Sequence, residues 1–178
     1  MNTSNTPYAG VTPPKKWLKT QIVRFTLYYL GKAIEFAYKH EPEAKKEMDT
    51  LPDTFSFCVG VINGPTLFIQ KSGDTVTYLG ELDNYHVDLE LRFKTIELGF
   101  MAMLFRLSTP EAVYHNRQFV KGDLNLMMRM LRVMNIAQSL IFPNILARYY
   151  LKKLPKFSVR RVINRVKYNV DAIIGLSL

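Results

Sequence analysis

Residues 111–142 read EAVYHNRQFVKGDLNLMMRMLRVMNIAQSLIF. The middle, Arg117 to Asp123, has the pattern of a short strand ending at a glycine turn, and Asp123 is placed to cap a following helix. From Leu124 onward the period is helical. Asn125, Arg129, Arg132, Asn135 and Ser139 form a narrow polar stripe at three- and four-residue steps, and nearly every other position to Phe142 is apolar. A helix apolar around most of its circumference must be covered by protein, membrane or ligand. Met127, Met128, Met130 and Met134 lie in it, and methionine adapts to more than one apolar shape. The stretch is therefore either methionine-rich core or the cover of a space that accepts a guest.

Working outward, residues 95–105 form a second short apolar helix, and Thr109-Pro110-Glu111 opens another over about 110–115, with Pro110 at its first position. Before them the period is two. Residues 55–62, 66–70 and 75–79 are strands separated by Asn63-Gly64-Pro65 and Ser72-Gly73-Asp74, which predicts an antiparallel meander. Residues 85–93 alternate most cleanly, with Tyr85, Val87, Leu89, Leu91 and Phe93 on one face and His86, Asp88, Glu90 and Arg92 on the other. Residues 43–53 read as a polar connector with a helical turn.

The ends differ from this body. Residues 1–14 read as a mobile arm interrupted by prolines. A helix follows, capped by Thr12 and running to His40 before Pro42. It has two apolar sides, one along Leu18, Ile22, Phe25, Tyr29, Ala33 and Phe36 and another through Trp17, Leu27, Tyr28, Leu30 and Ile34. Either both are buried by the protein, or one meets a partner or a membrane. Pro143 interrupts the methionine-rich helix, and a last helix runs from Ser158 to Gly175. Val159, Val162, Ile163, Val166, Val170, Ile173 and Ile174 mark its apolar face, and Arg160, Arg161, Asn164, Arg165 and Lys167 its polar one. The expected layout is an arm over 1–14, one domain over 15–155 and a basic amphipathic helix over 156–178.

The 178 residues suit one domain with terminal additions and carry a net charge of +9, unevenly spread. Residues 1–42 have six Lys/Arg against two Asp/Glu (+4), residues 43–142 ten against twelve (−2), and residues 143–178 eight against one (+7). Basic ends on a faintly acidic body predict an anionic partner met by the termini. Arg160, Arg161, Arg165 and Lys167 are the candidate membrane contacts, because a basic amphipathic helix lies on anionic lipid or docks on a protein. No 18-residue stretch lacks charge and no basic start precedes an apolar core, so the expectation is a cytoplasmic protein, peripheral at a membrane.

Catalytic patterns are missing. The nine glycines form no phosphate loop and no nucleophile elbow, and His40, His86 and His115 have no metal-ligand spacing with one another or with Cys58. Cys58 lies between Phe57 and Val59 and reads as a buried thiol, while Asp88 and Glu90 read as a solvated sheet face. The basic residues are not interleaved with exposed aromatics, which disfavours nucleic acid. No cofactor, metal or catalytic residue is expected.

The order of elements over 55–142 resembles the sterol carrier protein lipid-binding domain. The residues carrying the likeness are Asp88-Leu89-Glu90-Leu91-Arg92-Phe93, then Thr109-Pro110-Glu111-Ala112, then Arg117-Gln118-Phe119-Val120-Lys121-Gly122-Asp123 with Leu124 to Leu131. The resemblance covers about half of the chain. It implies an α+β fold, a five-stranded, largely antiparallel sheet with helices packed on one face, and an apolar cavity between the layers that holds a sterol, acyl chain, isoprenoid or other lipid without chemistry. It extends to bacterial accessory lipid-binding proteins of ubiquinone synthesis, which leaves open a non-catalytic scaffold subunit of a membrane-associated lipid or quinone biosynthetic complex, or a homodimer. The chain departs from the eukaryotic carriers in its extra basic helix and in ending without a peroxisomal tripeptide. The apolar residues of 96–105 and 124–142 exceed the cover that a one-sided sheet requires. Phe100, Met103, Leu104, Phe119, Met127, Met130, Leu131 and Met134 are accordingly the candidate ligand-binding residues.

Overall fold

A computed structural model describes residues 14–82, 87–104, 107, 112, 114–141, 163 and 166–170. The arm expected over 1–14 lies outside these save for Pro14, as do most of the Pro110 helix and the segment around Pro143. Helix α1 spans Pro14–His40 and α2 Pro42–Asp49. Strands β1 (Thr54–Val61), β2 (Thr66–Ser72) and β3 (Thr75–Gly80) follow, then β4 (Leu89–Phe93), α3 (Ile96–Met103), β5 (Gln118–Lys121) and α4 (Leu124–Ile141). The connector expected over 43–53 is thus mostly helix, started by Pro42 at its first turn and buried through Ala44 and Met48.

The five strands form one sheet in the order β3-β2-β1-β4-β5. β1–β2, β2–β3 and β4–β5 are antiparallel, as expected of a largely antiparallel sheet, and β1–β4 is parallel. The parallel pair requires the chain to cross from one sheet edge past β2 and β1. It does so over the face away from the helices, where Leu79, Leu82 and Val87 pack on Cys58 and Phe68. The clean alternation of residues 85–93 therefore breaks at its start. β4 begins at Leu89, and Val87 sits across the sheet from Leu89, Leu91 and Phe93. Asp88 fastens the crossing by accepting from the Ser56 backbone N–H at 2.8 Å and the Ser56 hydroxyl at 2.7 Å.

The other face of the sheet carries the main core. Phe55, Phe57, Val59 and Val61 of β1 point the same way as Leu67 and Ile69, Val76, and Leu89, Leu91 and Phe93. α1 lies over β2 and β3, α3 over β1 and β4, and α4 alongside α1 and α2. Two residues of the α4 polar stripe hold α2 in place. Arg129 donates to the Thr50 hydroxyl at 2.7 Å, and Arg132 pairs with Glu47 at 3.1 Å. Buried Lys71 faces this layer too and spends its charge on the loop before β1, donating to the carbonyls of Leu51 (2.9 Å) and Pro52 (3.3 Å).

The turn into α4 forms as expected. Asp123 Oδ1 accepts from the backbone N–H groups of Asn125 (2.6 Å) and Leu126 (3.2 Å). Gly122 has φ +119, and a Cβ there would stand 2.5 Å from the carbonyl oxygen of Asp88. Gly122→Ala should therefore cost about 2–3 kcal/mol, from a forbidden backbone conformation and a backbone clash together. Urea denaturation measures this, and an unchanged midpoint would refute the account of the turn.

Candidate functional site

The layer between the sheet and its helices is a packed core of apolar side chains. α4 contributes Met127, Met130, Val133, Met134, Ala137 and Leu140, all buried, with Leu131 packed on them. α3 contributes Phe100, Met101 and Met103, each half-buried against the same core. α3 comes close to β1 at Gly99, where a Cβ would meet Val61 at 2.5 Å. Phe100 lies at the rim, with the Lys19 ammonium 5.9 Å from the centre of its ring.

Of the eight candidate lining residues, Phe100, Met103, Met127, Met130, Leu131 and Met134 belong to this one cluster. Leu104 sits just past the end of α3 with a large part of its side chain in water. Phe119 lies across the sheet and is 46% exposed. The reason is register. β5 pairs Phe93 with Gln118, Arg92 with Phe119 and Leu91 with Val120, so Gln118 and Val120 face the helices and Phe119 faces away.

Gln118 is the residue that sequence reasoning passed over. It is 5% exposed, and neither its Nε2 nor its Oε1 has a hydrogen-bond partner. Phe119 and Val120 are adjacent apolar residues in a four-residue strand, so alternation alone did not decide the inward face. Phe93 opposite Gln118 decides it.

The face away from the helices holds Cys58, Asp88 and Glu90, while His86 lies outside the described residues. Glu90 and Arg92 form an ion pair with Nε 2.5 Å from Oε1, a charge contact in which Nε makes no aligned hydrogen bond. Cys58 lies beneath them, fully buried. Burial pushes its thiol up to about 11; Arg92 pulls the other way and Glu90 adds to the rise. A thiol so placed is protonated at neutral pH and is no nucleophile. Among the described residues, no group of three or more His, Cys, Asp or Glu is placed to hold a metal ion.

The last helix is described at residues 163 and 166–170. Arg160, Arg161 and Arg165 lie outside the described residues, and Lys167 is exposed, its Nζ 3.4 Å from His40 Nε2. The helix docks on α1 through Tyr168, which is 2% exposed. The Tyr168 hydroxyl donates to the Tyr29 carbonyl at 2.6 Å, and its ring meets Tyr29 edge-on at 5.3 Å and Phe36 at 5.4 Å. Tyr29 in turn donates to the Asn169 side-chain oxygen at 3.1 Å. Ile163, Val166 and Val170 of the helix's apolar face, expected to lie on anionic lipid or dock on a protein, are 61%, 60% and 48% exposed. One tyrosine with a partner for its hydroxyl thus sets the docking face, and an apolar ridge is left outward. At the start of α1, Trp17, Leu18 and Phe25 are exposed as well, while from Leu27 onward the helix is mostly covered. No helix among the described residues is long and apolar enough to cross a membrane.

No family model matches the chain and no curated protein matches it. Among solved structures it is similar to a UbiJ-SCP2 ubiquinone synthesis protein, at 16% identity over 70% of this chain and 99% of that one, with a TM-score of 0.42. It is similar to sterol carrier protein 2 like 2 from Aedes aegypti at 12% identity over 62% and 98%, TM-score 0.39. A sec-alkylsulfatase from Pseudomonas sp. aligns at 10% identity over 64% of this chain and 16% of its own, TM-score 0.35.

The burial of Cys58 and the tyrosines has a sign that can be checked. The Cys58 thiol, ordinarily titrating near 9, is raised to about 11. Tyr38, ordinarily near 10, is raised to about 12 by burial and by Asp49 beside its hydroxyl, and burial raises Tyr168 further. The folded state therefore holds these protons when the unfolded chain has lost them. Their stabilisation is complete below pH 9 and falls as pH rises from 9 to 12. Urea midpoints measured over pH 7–12 should decline through that window, and Cys58→Ala should remove the part that sets in first. A flat profile would refute the burial of these groups.

Proposed function

We propose that the protein binds and carries a hydrophobic small molecule between the helix layer and the sheet, without chemistry, and that its basic C-terminal helix brings it to membrane surfaces. The observation carrying the first part is a set of methionine and phenylalanine side chains, Phe100, Met103, Met127, Met130 and Met134, gathered in one apolar layer with half-exposed members at its rim. Such flexible side chains can part around an apolar guest, and the guest gains about 25 cal/mol per Å² of apolar area removed from water. Cys58 and Asp88 lie away from that layer, on the other face of the sheet, and the buried Lys71 is engaged with two backbone carbonyls.

The second part is supported by the outward ridge of Ile163, Val166 and Val170 beside exposed Lys167, in a segment from 143 to 178 with a net charge of +7. Apolar side chains entering the lipid headgroup region, flanked by lysine and arginine, bind anionic surfaces at about 1 kcal/mol per basic residue. The three- and four-residue spacing of the ridge also fits helix pairing, which supports a second reading as a scaffold subunit or dimer.

Three measurements separate these outcomes. Native mass spectrometry of purified protein should find a co-purifying lipid, and the protein should take up a fluorescent apolar probe. A protein that accepts no apolar molecule under any condition would sink the carrier reading. Flotation with vesicles containing phosphatidylglycerol should show binding that weakens about tenfold or more in high salt and on replacing Val166 and Val170 by Asp. Equal binding to neutral and anionic vesicles, or a stable dimer that ignores both, rejects membrane attachment; the dimer favours the scaffold.

A further inference from the structure

Among the described residues, the layer between sheet and helices contains one polar group that nothing satisfies. Gln118 reaches it from β5, beside Val120 on its own strand and opposite Phe93 on β4. Its carboxamide is buried with both nitrogen and oxygen unpartnered, although the backbone around it is in order: Arg117 N–H donates to Ala112 O at 2.7 Å just before the strand. A buried carboxamide without partners destabilises a fold by an amount that leucine in its place would avoid, so a partner for it is the expected finding.

We propose that Gln118 is the polar anchor of the lipid site and that its ligand carries an uncharged hydroxyl head group. The inference rests on the carrier reading and specifies its ligand. A hydroxyl is both donor and acceptor, so it can give its proton to Oε1 and accept from Nε2, the two atoms left open. A carboxylate would accept from Nε2 and leave Oε1 facing a negative charge. A plain hydrocarbon would leave both atoms unsatisfied. The residues expected to line the site from sequence are all apolar and supply affinity; Gln118, at the β5 edge of the same layer, supplies orientation.

The experiment is competition against the probe 1-anilinonaphthalene-8-sulfonate by dodecane, 1-dodecanol and dodecanoate at pH 8. For the natural chain, dodecanol should compete about tenfold better than dodecane and better than dodecanoate. In Gln118→Leu the alcohol's advantage over the alkane should vanish, with alkane binding retained and the melting temperature raised. Gln118→Met, closer in shape, serves the same comparison should leucine fail to pack. Equal competition by alcohol and alkane in the natural chain, or an alcohol preference that survives both substitutions, overturns the assignment and leaves the carrier reading standing. Competition by none of the three, with no probe uptake, overturns both.

Discussion

The second half of α1 keeps only a narrow wet stripe, the ion-paired Lys32, Glu35 and Lys39, and the rest of the molecule is arranged to cover its other sides. Val23, Leu27, Leu30, Ala33, Ile34 and Ala37 are at most 2% exposed. They are covered by β2 and β3 beneath, by α3 and α4 beside them and by Tyr168 from the end of the chain. A helix apolar on more than one face cannot sit at the surface of a sheet without further cover. Each large side chain that is buried contributes about 1.5–3 kcal/mol, so leaving any side open would offset much of a domain's net stability. The placement of α2 follows from the same need: its length brings Ala44 and Met48 into the core, and Arg129 and Arg132 of α4 fasten its outer side through Thr50 and Glu47.

The two faces of the sheet have separate chemical characters. The helix side is mostly apolar; Lys71 there meets two carbonyls, the Gln118 amide has no partner, and Glu41 and Ser139 are buried on the helices. The far side carries Glu90, Arg92 and Lys121 and is partly roofed by Leu79, Leu82 and Val87.

Much of this was legible in the chain. The meander, the capped turn at Gly122-Asp123 and the span of α4 follow from local period and turn chemistry, and each stands within a residue or two of its expected place. Three features were not legible, for one reason: each is a choice of neighbour. β4 joins β1 in parallel because the crossing segment finds Cys58 and Phe68 to cover, which no period reveals. β5 turns Gln118 inward because of the residue opposite. The last helix leaves Val166 and Val170 outward because Tyr168 has both a ring and a hydroxyl to satisfy against α1. Hydrophobic pattern identifies which faces are greasy; which of two greasy faces is buried depends on shape and hydrogen bonding in three dimensions.

The parallel pairing of β1 with β4 bears on how the chain finds this arrangement. The hairpins β1–β2 and β2–β3 close over a few residues, whereas Ser56 and Asp88 are 32 positions apart when they meet. Loop closure of that span carries an entropic cost that local hairpins do not, and topologies of this sort assemble more slowly. During synthesis β1 (Thr54–Val61) leaves the ribosome before β4 (Leu89–Phe93), so β1 spends that interval as a bare sheet edge. Its side chains are almost all apolar, and its exposure then, more than any property of the finished molecule, is where crowding and misassembly would act.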